Sequence, residues 1–125
     1  METIKVVAAI IKKDNLIFAT QRGYGEFKDK WEFPGGKIEE NETKEEALTR
    51  EIKEELNASI SIDSFIKQIE YDYPSFHLVM DVYFCHLNNP HIELIEAENA
   101  KWLKIEEIYD LDWLPADLEL LQYIK

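Results

Sequence analysis

Apolar and polar positions alternate along this chain with two different periods. Ile4–Ile11 is almost wholly apolar and reads as a strand covered on both faces at its centre. Asp14-Asn15 is a turn signal, and Leu16–Thr20 reads as a second strand. Residues 21–36 read as a long loop ending in Phe33-Pro34-Gly35-Gly36, with Phe33 held extended by the proline after it. The period then changes. Leu48, Ile52 and Leu56 recur every four residues and predict a helix over 44–56. Thr43 and Glu46 form a capping-box pair at its start, and Asn57 suits a left-handed cap at its end. Ile60–Ile62 and Phe65–Tyr71 read as two strand pieces. Phe76–Leu87 reads as a longer strand whose alternating Phe76, Leu78, Met80, Val82 and Phe84 predict one buried face. A loop over 88–98, a short strand Ala100–Leu103, a helical turn Ile105–Tyr109 and a terminal helix Ala116–Tyr123 complete the chain. The sum is a mixed α/β (α+β) fold, a single domain over residues 1–125.

Composition narrows the class. At 46% hydrophobic and 32% charged residues, 125 residues can bury a core without disulfides or a structural metal. The longest apolar run, Val6–Ile11, is far short of the roughly 20 residues of a membrane span. A single cysteine, Cys85, and no apolar leader make the cytoplasm the expected compartment. The net charge of −12 argues against a partner made of nucleic acid. It is also unevenly spread: residues 36–55 hold eight of the 26 acidic side chains, all Glu.

Wound at ~100° per residue, the 44–56 helix puts Glu55 about 20° from Leu48, at the edge of its apolar stripe, Glu51 about 60° and Glu54 about 120°. Carboxylates at the edge of a buried stripe repel one another and resist desolvation, a conflict that a hard divalent cation resolves. A solvated Glu/Lys face is the alternative from spacing alone. Arg50 is placed to pair with Glu54 and orient it.

The residues from Gly36 to Ala58 carry more than spacing. Gly36, Glu42, Arg50, Glu51, Ile52, Glu54 and Glu55 fall in register with the Nudix box, which this segment resembles; Asn57 stands where that family has Gly. Trp31–Lys37, Tyr71-Asp72-Tyr73-Pro74, Glu96 and Pro115-Ala116-Asp117 resemble the MutT branch of the family, so the likeness runs over most of the chain. The resemblance implies a Nudix fold, a mixed β-sheet between helices. It implies hydrolysis of nucleoside triphosphates to monophosphate and pyrophosphate, with Mg²⁺ or Mn²⁺ as cofactor. It assigns the metal to Gly36, Glu51, Glu54, Glu55 and Glu96, and catalysis to Glu54, Glu55, Arg50 and Glu96, with Glu55 and Glu96 both open as the base. Arg22 and Lys37, which flank the loop before the helix, are expected to contact phosphates.

Base recognition must come from outside the box, with Phe33, Tyr73, Phe76 and Asp117 as candidates. An ionised Asp117 only accepts hydrogen bonds and suits the cytosine amine, whereas pairing with oxidised guanine would require a raised pKa. Helix capping after Pro115 is the plain alternative for Asp117, and core packing that for Phe33. The expected substrate is a damaged nucleotide such as 8-oxo-dGTP. A CTP or modified-dCTP hydrolase and a non-catalytic nucleotide-binding module are the competing readings. The protein is expected to be a monomer or homodimer.

Overall fold

A computed structural model of the chain describes residues 1–124. Seven strands and two α-helices form it: β1 (Glu2–Lys13), β2 (Leu16–Gln21), β3 (Trp31–Glu32), β4 (Gly35–Lys37), α1 (Lys44–Leu56), β5 (Ile60–Tyr73), β6 (Phe76–Leu87), β7 (Asn99–Lys104) and α2 (Pro115–Leu120). Short 3₁₀ turns at Ile105–Asp110 and Leu121–Tyr123 flank α2. Among the described residues no helix is long and apolar enough to cross a membrane.

The sheet runs β3-β2-β1-β6-β5, with β4 also on β1 and β7 also on β2. β1 is the hub. It pairs in parallel with β6 from Glu2–Phe76 to Ile11–Cys85 and antiparallel with β4 at Val6–Ala8. It meets β2 only at the tight turn, through Lys12–Ile17 and Lys13–Leu16. A strand with neighbours on both sides and cover on both faces must be apolar throughout. Accordingly Val7, Ala9 and Ile11 pack under α1, whereas Ala8 and Ile10 pack under the C-terminal segment. The mixed sheet between helices is thus present as expected.

α1 spans the expected residues. The Thr43 hydroxyl accepts from the Glu46 N–H at 3.1 Å, and the Glu46 carboxylate accepts from the Thr43 N–H at 2.9 Å. Asn57 closes the helix in the left-handed conformation at φ 48°, its N–H donating to the Lys53 carbonyl. Leu48, Ile52 and Leu56 are completely buried, each worth about 1.5–3 kcal/mol of burial. That stripe fixes the rotation of the helix and hence where its carboxylates point.

Three expectations are corrected. The two pieces over 60–71 are one strand, β5, broken in register by bulges at Ile62/Ser64 and Phe65/Lys67. The loop over 21–36 contains β3 and begins β4. The centre of β6 is buried on both faces: Leu78, Met80 and Val82 on one, Asp81, Tyr83 and Cys85 on the other. Asp81 is buried with a partner on each oxygen: Lys44 Nζ at 3.2 Å and Gln68 Nε2 at 3.1 Å.

Candidate active site

The apolar stripe of α1 turns Glu51 and Glu55 toward the Gly35-Gly36 pair of β4. The Gly35 N–H donates to Glu55 Oε2 at 3.2 Å. A side chain on Gly36 would collide with the Glu51 carboxylate, and one on Gly35 with the Val7 carbonyl of β1. These glycines are required for close approach of helix and strand rather than for unusual backbone angles. Burial pushes the Glu55 carboxyl up to about 8, and the carboxylates of Glu32, Glu96 and Glu51 push the same way. Glu51 is likewise raised, first by desolvation, while Arg50 opposes the shift. Glu54 points outward into solvent, and Glu96 is exposed on the connection between β6 and β7.

Arg50 does more than pair with Glu54. Its Nε and Nη2 grip Glu42 at 2.6 and 3.0 Å, and Nη2 also donates to the Lys37 carbonyl at 2.9 Å. Its Nη1 reaches Glu51 at 2.9 Å and Glu54 at 3.1 Å. One planar guanidinium therefore ties the β4 end, the loop at Glu42 and two box glutamates together, which raises its own pKa further.

Among the described residues no three His, Cys, Asp or Glu side chains already form a metal cage. The chemistry of the donors nevertheless fits a hard divalent cation. Glu51 and Glu55 are drawn to one edge, each resists ionisation, and Glu96 adds like charge to both. An ionised carboxylate has about four lone-pair sites, and Glu55 spends one of them on the Gly35 N–H. A Mg²⁺- or Mn²⁺-sized ion would take up that capacity and remove the repulsion.

A cavity of about 150 Å³ opens beside these residues, and Gly35 and Gly36 belong to its wall as well. That volume accommodates one aromatic ring system. Val6, Ala8, Leu78 and Met80 line it from the sheet, and Leu114 and Asp117 from the start of α2. Asp117 is 5% exposed, and its Oδ1 accepts from the Phe33 N–H at 3.0 Å. Burial pushes its carboxyl up to about 7, helped by Glu32 and opposed by the Phe33 N–H and Arg22. It is not the helix cap: that position is Leu114, which makes no side-chain capping bond.

The other expected contacts divide. Tyr73 and Phe76 line the cavity, stacked on each other at 5.0 Å, and the Tyr73 hydroxyl accepts from the Ala116 N–H at 3.2 Å. Phe33 lines it too, but is buried with one ring face stacked on Trp113 at 4.6 Å, so packing accounts for it. Arg22 lies at the wall, gripped by Glu32 through Nη2 at 2.7 Å and Nε at 3.0 Å. Lys37 is exposed and lines a surface groove with Glu2 and Lys5, while its carbonyl accepts from Arg50 Nη2. Sequence reasoning missed Glu32, Phe27 and Leu114. Phe27 sits edge-on to Tyr73 at 5.3 Å and closes the aromatic side of the cavity. Glu32 stands inside the Trp31–Lys37 motif, so its position was visible although its pairing was not.

Residues 1–124 match the family model described as the NUDIX domain. A CTP pyrophosphohydrolase of Escherichia coli K12 is 30% identical over 125 residues, covering 98% of this chain and 91% of that protein. An 8-oxo-dGTP diphosphatase of the same organism is 28% identical over 127 residues, covering 100% and 98%. The crystal structure of a MutT NUDIX hydrolase from Burkholderia pseudomallei superposes with a TM-score of 0.91 at 22% identity, covering both chains completely.

Proposed function

Because this chain belongs to the Nudix hydrolase family, we propose that it hydrolyses nucleoside triphosphates to the monophosphate and pyrophosphate. The observation that carries this reading is the shared Gly35-Gly36 wall. It joins a ring-sized cavity holding a buried carboxyl to the carboxylate edge of α1. A nucleotide with its base beside Asp117 would lay its phosphates across those glycines toward Glu51 and Glu55.

Glu51, Glu54, Glu55, Glu96 and the Gly36 carbonyl would hold Mg²⁺ or Mn²⁺. A metal bound there neutralises phosphate charge, polarises the phosphoryl oxygens and acidifies water. The chain's own groups do the rest. Arg50 keeps Glu51 and Glu54 oriented from behind. Arg22 offers the phosphates a cation once its grip on Glu32 is shared. Glu55 or Glu96 accepts the proton of the attacking water. Positioning and electrostatics are the main needs of phosphoryl transfer, and no nucleophilic side chain is required.

The preferred substrate of our reading is 8-oxo-dGTP. With a pKa near 7, Asp117 is available in its protonated form, which offers one O–H donor beside an acceptor. The Hoogsteen edge of oxidised guanine pairs a donor at N7 with an acceptor at O6, whereas ordinary guanine presents acceptors at both. The second reading is CTP or modified dCTP, whose amine and ring nitrogen also pair donor with acceptor; the CTP pyrophosphohydrolase relative supports it. The enzyme would work on free nucleotides in the cytoplasm, as a monomer or homodimer.

Steady-state hydrolysis over a panel of normal and oxidised triphosphates, with product identification, tests this. Monophosphate and pyrophosphate should appear, chelator should abolish them, and Mg²⁺ or Mn²⁺ should restore them. Release of orthophosphate, or full activity in chelator, overturns the proposal.

A further inference from the structure

Asn57 replaces the glycine that ends the Nudix box, and its side chain has found a partner. The amide Nδ2 donates to Glu93 Oε1 at 3.2 Å, on the connection between β6 and β7. The same oxygen lies 2.7 Å from His91 Nε2. The backbone follows. The Glu93 N–H donates to the Leu56 carbonyl at 2.7 Å, and the Ile95 N–H to the Glu55 carbonyl at 3.2 Å. These are carbonyls of the last turn of α1, which have no partner within a helix. The connection is thereby fastened, at alternate residues, to the same helical turn that carries Glu55.

The next residue after this fastening is Glu96. It is exposed, yet close enough to Glu51 and Glu55 for its charge to act on both. Like charges push an exposed loop carboxylate away, and loops of this length move freely unless tied down. Glycine at position 57 would keep the left-handed cap but offer no side-chain donor. Asparagine tolerates the same conformation and adds one.

We propose that Asn57 is a positioning residue: through Glu93 it holds the 91–96 segment on the end of α1 and so keeps Glu96 at the carboxylate edge. This deepens the hydrolase reading and rests on it for the role of Glu96. Asn57→Gly leaves helix and cap intact, so the melting temperature should stay within a degree or two. Amide exchange at Glu93 and Ile95 should accelerate roughly threefold to tenfold, the range of one exposed hydrogen bond. With Mg²⁺ and 8-oxo-dGTP or dCTP, whichever is turned over faster, kcat should fall by a similar factor at unchanged KM. Glu93→Ala should reproduce both effects, the double variant should be no worse than either single one, and Glu93→Gln, which keeps the acceptor, should resemble wild type.

Unchanged exchange at Glu93 and Ile95 in Asn57→Gly overturns the fastening itself. Accelerated exchange with wild-type kcat overturns its catalytic consequence. Glu96→Gln separates the two levels. Wild-type turnover there removes Glu96 from the hydrolase reading, and the positioning proposal falls with it, while the exchange rates still report on the contact.

Discussion

At Glu55 the needs of the fold and of the chemistry oppose each other. A carboxyl pushed up to about 8 by burial, with three acidic neighbours, is a poor structural choice. Glu55→Gln keeps an oxygen for the Gly35 N–H and removes the charge. Its melting temperature should equal or exceed wild type. Turnover should fall by roughly three orders of magnitude, as expected for losing several kcal/mol of metal-dependent stabilisation. Wild-type turnover in that variant would contradict the metal assignment. Asp117 makes the opposite kind of prediction. Its folded pKa, about 7, lies above its ordinary value of 3.8, so the folded state holds the proton that the unfolded state has released. The stability this brings is complete below about pH 4 and is lost as pH rises through about 7. Asp117→Asn keeps the acceptor for the Phe33 N–H and cannot titrate. Its melting temperature should therefore fall less than that of wild type between pH 5 and pH 8. The same variant should change kcat/KM for dCTP and 8-oxo-dGTP by unequal factors, about tenfold to a hundredfold for the more affected, the cost of a mispaired buried hydrogen bond. Equal factors would make Asp117 structural.

Elements differ in how plainly they announce themselves. α1 was legible to the residue because independent signals agree on it: the capping box, the four-residue apolar stripe and the left-handed Asn57. Thr43→Ala removes one half of that box and should cost about 1 kcal/mol, or roughly 3–5 °C in thermal melting, with turnover nearly unchanged. β3 and β4 were invisible because strands of two and three residues carry no period, and two glycines carry no side-chain pattern. β5 looked like two strands because each bulge shifts the phase of its alternation. The carboxylates of the site were legible for the same reason as α1, since they share its helix. The cavity was not. It is assembled from strands β1, β3, β4, β5 and β6, helix α2 and the loop at Phe27, and adjacency of that kind has no local signature. Lys37 illustrates the point: it follows the glycines in the chain, yet it lines a separate surface groove with Glu2 and Lys5.

At the scale of the whole molecule, the net charge of −12 sets the encounter with a substrate of the same sign. Raising ionic strength at fixed free metal should raise kcat/KM modestly, because screening weakens the repulsion. A basic, phosphate-steered surface would give the reverse. The parallel pairing of β1 with β6 has a different consequence, one of time. Strand residues from Val6 to Ile11 meet partners from Met80 to Cys85, so the central ladder joins stretches more than seventy residues apart in the chain. During synthesis the first strand leaves the ribosome long before its neighbour exists. Its apolar centre must wait, exposed, for most of the chain to follow. Folding should then be slow for so small a protein, milliseconds to seconds rather than microseconds. Nascent chains ending before β6 should be held by chaperones or degraded, while those a dozen residues longer begin to protect their first strand.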